Sequence, residues 1–407
     1  MTRFTAISLV ALLAPMVSPW AIAAPAQRQQ PAEAATVREF QAFVAALKPD
    51  ARALGISDAT FVAAFKDVTA PDPAVISRTR AQGEFSRPVW DYLVGAVSSG
   101  RIDRGKAEAA RLDATLSRIE ASYGVPRAVL VAIWGVESDF GASGGTTSVI
   151  RSLATLSQVR YRGTLFRDEL LAALTILEQG DVSAGTMKGS WAGAMGQVQF
   201  LPSNYLKHAV DYDGDKRRDI WTSRPDALAS IAAFLRSLGW NASLSWGYAV
   251  TLPPGFDLTR YRGDLSDFAG RGVRRIDGKA LPASGNASLF LPGGASGPVF
   301  LITDNFEVIR GYNTSDSYAL AIGHLADRLA GGPPLAVPWP SAVSRLDRAG
   351  LQALQKGLAA AGFYQGETDG RAGPKLREAV RRYQIGAGLV ADGYATPELL
   401  AHVQTYR

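Results

Sequence analysis

The segment 129–140, VLVAIWGVESDF, sets a lone acid into an apolar run. Leu130, Ile133, Trp134 and Glu137 recur at i, i+3, i+4 and i+7, one face of a helix. Pro126 suits the first turn of that helix and Gly141 its end. A carboxylate in line with an apolar stripe loses hydration, which disfavours its charged form and raises its pKa. A carboxyl that keeps its proton near neutrality can donate it to a glycosidic oxygen. The same position also suits a structural glutamate paired with an arginine. Gly135, beside the acid, leaves room for a ligand. Asp139 is two residues on and points to roughly the opposite side. That makes it a poor partner, whereas hydrolytic glycosidases usually oppose two carboxyl groups.

A second candidate site is the acidic loop 211–221, DYDGDKRRDIW. Asp211, Asp213 and Asp215 alternate as in an EF-hand loop, where oxygen ligands converge on calcium. Lys216 takes the sixth position, where a sharp turn favours glycine, and Arg217 and Arg218 add positive charge. The alternative is a solvated loop whose aspartates pair with those arginines. The three histidines, His208, His324 and His402, are far apart and lack zinc-ligand spacing. No Gly-x-Ser-x-Gly elbow, phosphate loop or dinucleotide fingerprint occurs.

These sites need elements to hold them. The 407-residue chain is long enough for two or three domains, and 47% hydrophobic with 20% charged residues is ordinary for a globular protein. From Thr36 to about Gly239 helical patterns dominate. Ser57 reads as an N-cap, a long helix is expected over about 103–121, and another over 227–238. Between Trp246 and Arg310 glycine and proline rise and short β-favouring runs appear, such as 248–252 and 298–303. This reads as a small strand-rich insertion. A last helix, about 317–329, precedes a Gly/Pro-rich linker at 333–342.

The start of the chain is read as a secretory signal peptide over 1–23. Arg3 precedes an apolar run too short to span a bilayer, closed by Ala21-Ile22-Ala23-Ala24. The chain has no cysteine, hence no disulfide and no lipid-attachment cysteine. A soluble, periplasmic protein that is not a lipoprotein and makes no stable membrane insertion is therefore expected. The net charge of +6 favours approach to an acidic polymer. The basic residues are scattered without interleaved aromatics, which argues against nucleic acid.

Four segments, IWGVESDFG (133–141), SWAGAMGQVQFLPSNY (190–205), DYDGDKRRDIW (211–221) and GYNTSDSYALAIG (311–323), occur in order. Together they resemble the lytic transglycosylase B family of murein-degrading enzymes. The resemblance covers about 37–329, within a catalytic domain placed at 36–332. It implies a mainly α (α+β) fold, with a lysozyme-like helical core and a small β-rich insertion. It also implies cleavage of the β-1,4 bond between N-acetylmuramic acid and N-acetylglucosamine with a 1,6-anhydromuramoyl product. In that family one glutamate is both acid and base, and no cofactor is required for the chemistry. Carried over position by position, Glu137 matches the acid/base. Ser190 and Gln199 match polar residues of the cleft, and Met195 lies in the turn that shapes its wall. Tyr312 and Tyr318 match aromatics beside the glutamate and the sugar, and Asn313 a residue that orients ligand or loop. Phe234 stands where relatives often carry tyrosine. The match also implies a structural Ca2+ held by Asp211, Asp213, Asp215, the carbonyl of Arg217, and Asp226.

Residues 343–405 resemble the common peptidoglycan-binding domain, a three-helix module marked by Asp369-Gly370 and Asp392-Gly393 turns. Such a module would tether the enzyme and raise the local substrate concentration. Expected partners are peptidoglycan glycan strands, with other cell-wall enzymes as a second class. Two rival readings are a hydrolytic muramidase on the same scaffold and a non-catalytic wall-binding protein.

Overall fold

The computed structural model describes residues 29–81, 88–335, 337–340 and 345–405. The expected signal peptide lies outside these residues, as do residues 341–344 at the end of the linker and the start of the C-terminal module.

The fold is built round the helix Arg127–Ser138. Its residues 129–135 are all buried, so its surroundings are apolar on every side and not on one stripe alone. Helices Ser99–Arg111, Asp113–Tyr123, Arg224–Ser237 and Asp316–Leu329 surround it. Val149–Gln158 and Leu165–Gln179 form an antiparallel pair beside them, and Asp58–Phe65 packs on that pair, capped by Ser57 as expected. The single helix expected over 103–121 is two helices broken at Leu112. Arg127 grips the second piece through Asp113, Ser117 and Glu120, which fixes its direction. Leucine is a good helix former, so this tertiary grip overrides local propensity.

Seven strands are present among the described residues. β1 (Thr147–Ser148) and β2 (Lys188–Gly189) make a two-residue antiparallel pair. The insertion carries β3 (Gly247–Thr251), β4 (Arg262–Asp264), β5 (Arg274–Arg275), β6 (Asn286–Phe290) and β7 (Val299–Thr303). They form one antiparallel sheet in the order β4-β6-β7-β3-β5 over a core that includes Leu265, Phe268 and Leu301. The insertion ends earlier than Arg310, because Thr303 caps a helix, Asp304–Tyr312.

The C-terminal module is three helices, Arg348–Ala360, Pro374–Gly386 and Pro397–Thr405, with a core of its own. Its two Asp-Gly turns are built alike. Gln355 accepts from Gly370 N and donates to Asp369, and Gln384 does the same with Gly393 and Asp392. Both glycines have positive φ, 71° and 73°. No single helix among the described residues is long and apolar enough to cross a membrane.

Candidate active site

Glu137 sits in the last turn of the central helix, one residue before the chain leaves it. Asp139 and Phe140 then take left-handed backbone, φ 51° and 62°, followed by Gly141 at 86°. Two consecutive non-glycine residues in this region are strained and require support. Arg104 supplies it through a 2.6 Å ion pair with Asp139, and Phe140 packs edge-on against Trp134. Gln197, itself buried, accepts from Trp134 Nε1 at 2.9 Å and donates to Trp221 O at 3.0 Å. A Cβ at Gly141 would lie 2.4 Å from Gln197 Oε1, so that turn tolerates only glycine. Gly135 corrects an expectation. A Cβ there would come within 2.6 Å of the Phe140 ring, so the missing side chain makes room for Phe140 and not for a ligand.

Glu137 is held by a tyrosine and not by an arginine. Tyr318 Oη donates to Glu137 Oε1 at 2.6 Å. Burial pushes the Glu137 pKa from 4.5 up to about 7, against the opposing pull of that hydrogen bond. No carboxylate perturbs Glu137 among the described residues. Asp139 is committed to Arg104, with Arg101 at 3.8 Å. Tyr312 lies against Tyr318, ring centroids 6.3 Å apart at 15°, and donates to Val198 O at 2.6 Å. Burial and the Glu137 charge hold both phenols well above 10. They therefore stay protonated and serve as hydrogen-bond donors.

The other expected cleft residues divide. Ser190 is half-buried, and its hydroxyl oxygen accepts from Ala192 N and Ala194 N, which leaves its own proton to donate. Gln199 has φ 51°, and its amide donates to Gly144 O and Gly196 O, leaving its carbonyl oxygen for other partners. Asn313 is exposed at the end of the Tyr312 helix. Met195 is 0% exposed, bridged to Gly189 and Phe200. It shapes the wall from behind and offers no surface to a ligand. Phe234, also buried, is stacked on by His208 and meets Tyr312 at 5.2 Å. Tyr92, on the helix Val89–Ala96, was not among the expected residues. Its phenol is pushed up to about 12, first by burial and then by the Glu137 charge, so it lies within electrostatic reach of that carboxyl. It lies 45 positions before Glu137 in the sequence, and no short spacing links the two.

In the acidic loop the carboxylates of Asp211, Asp213 and Asp226 each bring an oxygen within 4.8 Å of the others. Asp226 is fully buried and accepts from Tyr212 N, Asp213 N and Asp219 N. Lys216 adopts φ 71°, the conformation that glycine would supply at that turn. Arg218 turns away to Asp181 at 2.6 Å. Asp215 departs from the expected set, because it leans on Arg217. The loop therefore gathers three carboxylates, with Arg217 drawing off the fourth.

The Transglycosylase SLT domain family matches residues 39–327, most of the chain and all of the site just described. The chain belongs to this family. Residues 347–403 match a peptidoglycan binding domain, so the SLT domain and its C-terminal companion account for nearly all of the described residues. SltB3 from Pseudomonas aeruginosa, solved in complex with NAG-anhNAM-pentapeptide, is 45% identical with a TM-score of 0.82 over 90% of this chain and 99% of that one. Slt35 from Escherichia coli, solved with calcium, is 27% identical with a TM-score of 0.60 over 72% of this chain and 92% of that one. Membrane-bound lytic murein transglycosylase B of Escherichia coli K12 is 35% identical over 222 residues, 53% of this chain and 60% of that protein. The chain thus spans less than two thirds of that curated relative.

The SLT domain and its companion are docked, not strung apart. From the helix Pro374–Gly386, Arg381 is 3% exposed and donates to Leu289 O of the sheet, while its guanidinium lies 4.5 Å from the Tyr261 ring centroid. Glu378 accepts from Tyr261 Oη at 2.8 Å and pairs with Arg262 at 3.0 Å.

Proposed function

We propose that this chain cleaves the β-1,4 bond between N-acetylmuramic acid and N-acetylglucosamine in peptidoglycan by lytic transglycosylation. The observation that carries the reading is a lone carboxyl, Glu137, with its pKa raised to about 7, which is bonded by a phenol and meets no second acid among the described residues. Protonated Glu137 gives its proton to the oxygen of the leaving N-acetylglucosamine as the bond to the anomeric carbon breaks. Tyr318 stabilises the carboxylate that this leaves. The substrate's own N-acetyl group assists at the anomeric carbon. Glu137 then takes the proton of the C6 hydroxyl as that oxygen bonds to the anomeric carbon. One proton is given and one recovered, and no water is consumed. Ser190, Gln199, Tyr312 and Asn313 are assigned to hold the saccharide. The 45% identity to a protein solved with an anhydro-sugar muropeptide supports the same outcome.

The test is product analysis of purified sacculi by mass spectrometry. Anhydro ends, lighter by one water than reducing ends, are expected from the wild type and none from Glu137→Gln. Reducing ends would show hydrolysis instead, and clearing that survives Glu137→Gln would remove the residue from the chemistry.

The acidic loop is assigned as a structural calcium site, with Asp211, Asp213 and Asp226 as holders. Calcium would neutralise three converging carboxylates and tie the loop to the start of the helix Arg224–Ser237. Calcium should raise the melting temperature and a chelator lower it; no response to either would refute this assignment. A peptidoglycan substrate fits a protein of the cell envelope, and we infer the periplasm within it from the leader-like residues 1–23.

A further inference from the structure

The two tyrosines at Glu137 come from the ends of one turn. Tyr312 closes the helix Asp304–Tyr312, and Tyr318 lies in the first turn of the helix Asp316–Leu329. Asp316 is the fastening of that turn. One of its oxygens lies 2.6 Å from Arg310 Nε on the first helix, an ion pair across the turn that is not aligned as a hydrogen bond, and its other oxygen accepts from Arg377. Arg377 belongs to the C-terminal module, on the same helix as Glu378 and Arg381. Asp316, Arg310 and Arg377 are only 10%, 16% and 16% exposed at their side chains, so the cluster is shielded from solvent. The Arg377 guanidinium is also seated 4.7 Å over Phe290 of the sheet, which limits where it can go. Ser315 completes the fastening, since its hydroxyl oxygen accepts from Tyr318 N.

We infer that Arg377 is a positioning residue for catalysis: the wall-binding module, through Arg377 and Asp316, sets the turn that holds Tyr318 against Glu137. The module is then part of the machinery and not a tether alone. The physical basis is the low dielectric round Asp316, where a carboxylate pinned by two arginines cannot move without leaving charge uncompensated. Freed from one of them, the turn relaxes toward Arg310, and the 2.6 Å bond from Tyr318 is the first contact to lengthen. Small misplacements of catalytic groups lower turnover by up to about 100-fold.

The inference rests on the transglycosylase reading, and one assay separates the two. Turnover of a soluble glycan oligomer, which needs no tether, is measured against pH for wild type, Glu137→Gln, Arg377→Ala, Arg377→Lys and Glu378→Gln. An active wild type with a dead Glu137→Gln upholds the parent reading, and an inactive wild type overturns that reading itself. For Arg377→Ala the expected result is kcat down by roughly 10- to 100-fold with KM little changed. Its alkaline limb should move to higher pH, because a carboxyl that loses the Tyr318 hydrogen bond holds its proton longer. Arg377→Lys, which keeps the charge, should recover part of the rate. Glu378→Gln loosens the same interface without touching Asp316 and should keep both kcat and the limb. Wild-type kcat and limb in Arg377→Ala would overturn the inference. So would an equal loss in Glu378→Gln, which would make docking in general responsible. Loss of the cooperative melt in both Arg377 variants would also count against it, since the contact would then be a requirement of the fold.

Discussion

Replacing Tyr318 by phenylalanine removes one oxygen, the donor 2.6 Å from Glu137 Oε1, and keeps the buried ring. The hydroxyl stabilises the carboxylate and not the neutral acid, so its loss raises the Glu137 pKa further above the present value of about 7. A hydrogen bond to a charged group contributes roughly 1.5–3 kcal/mol. At about 1.4 kcal/mol per pH unit, the alkaline limb of kcat/KM should move up by roughly one to two units. The sign follows from the proposed role: as the acid of the first step Glu137 must be protonated, so activity persists to higher pH when its proton is held more tightly.

The rate below that limb should fall. Negative charge grows on Glu137 as its proton leaves, and the missing donor withdraws stabilisation from that moment. If the full hydrogen bond is realised there, the loss is roughly 10- to 150-fold. The same change makes the carboxylate a stronger base for the closing proton removal, so the deficit belongs to the first step alone. The assay is kcat/KM on a soluble glycan oligomer from pH 5 to 9, with the Glu137 titration followed by carboxyl-labelled NMR in the free protein. An unmoved or lowered limb would refute the reasoning, because phenylalanine preserves packing and changes only the donor.

Three further outcomes follow from the same geometry. Glu137→Gln should be more stable than wild type at pH 8 and equal to it near pH 4, by up to about 3 kcal/mol from the rise of 4.5 to about 7, because stability drawn from the bound proton is lost as pH climbs through the folded value; denaturant melts at the two pH values check it. Asp226→Ala should cost about 2–4 kcal/mol, since three backbone N–H groups lose their acceptor, and should abolish any calcium-dependent rise in melting temperature. Arg381→Ala leaves the carbonyls of Leu289, Ala391 and Asp392 without their donor and should let the C-terminal module melt ahead of the SLT domain, seen as a second transition by calorimetry.

What was legible in the sequence was what short-range spacing encodes. Glu137 stood out because Leu130, Ile133 and Trp134 share its helical face, and the acidic loop stood out by its alternation. The strands at 247–251 and 299–303 and the final helix fell close to where local patterns put them. What failed did so for tertiary reasons. Leu112 breaks a helix that propensity would continue, because Arg127 holds the far piece. Gly135 yields its space to Phe140, a residue five positions on that turns back through left-handed backbone. Met195 faces inward because bridges to Gly189 and Phe200 fold the wall over it. Tyr92 feels the Glu137 charge, and Arg377 binds Asp316 beside the Tyr318 turn, from helices whose sequence carries no mark of either.

Among the described residues no second carboxylate acts on Glu137, and in the proposed mechanism that is itself the chemical statement. Hydrolysis by the two-carboxylate route requires a partner to activate water or attack the anomeric carbon, at a spacing of roughly 5 to 9.5 Å from the acid. The acid nearest in sequence, Asp139, is turned into left-handed backbone and locked to Arg104. Tyr318, bonded to Glu137, Tyr312, stacked on Tyr318, and Tyr92, which feels the same charge, are phenols whose protons are held too tightly for them to act as bases near neutrality. In the proposed mechanism a site with one exchangeable proton and a fixed phenol donor assists departure of a sugar oxygen. It can complete the reaction only with a nucleophile that arrives in place and gives up a proton to the same carboxylate. In the proposed reaction the C6 hydroxyl of the muramoyl residue meets both conditions, since it is carried by the sugar being cleaved. In that proposed mechanism the arrangement that raises the Glu137 pKa to about 7 serves both halves, because an acid of that strength is protonated often enough to begin and basic enough to finish.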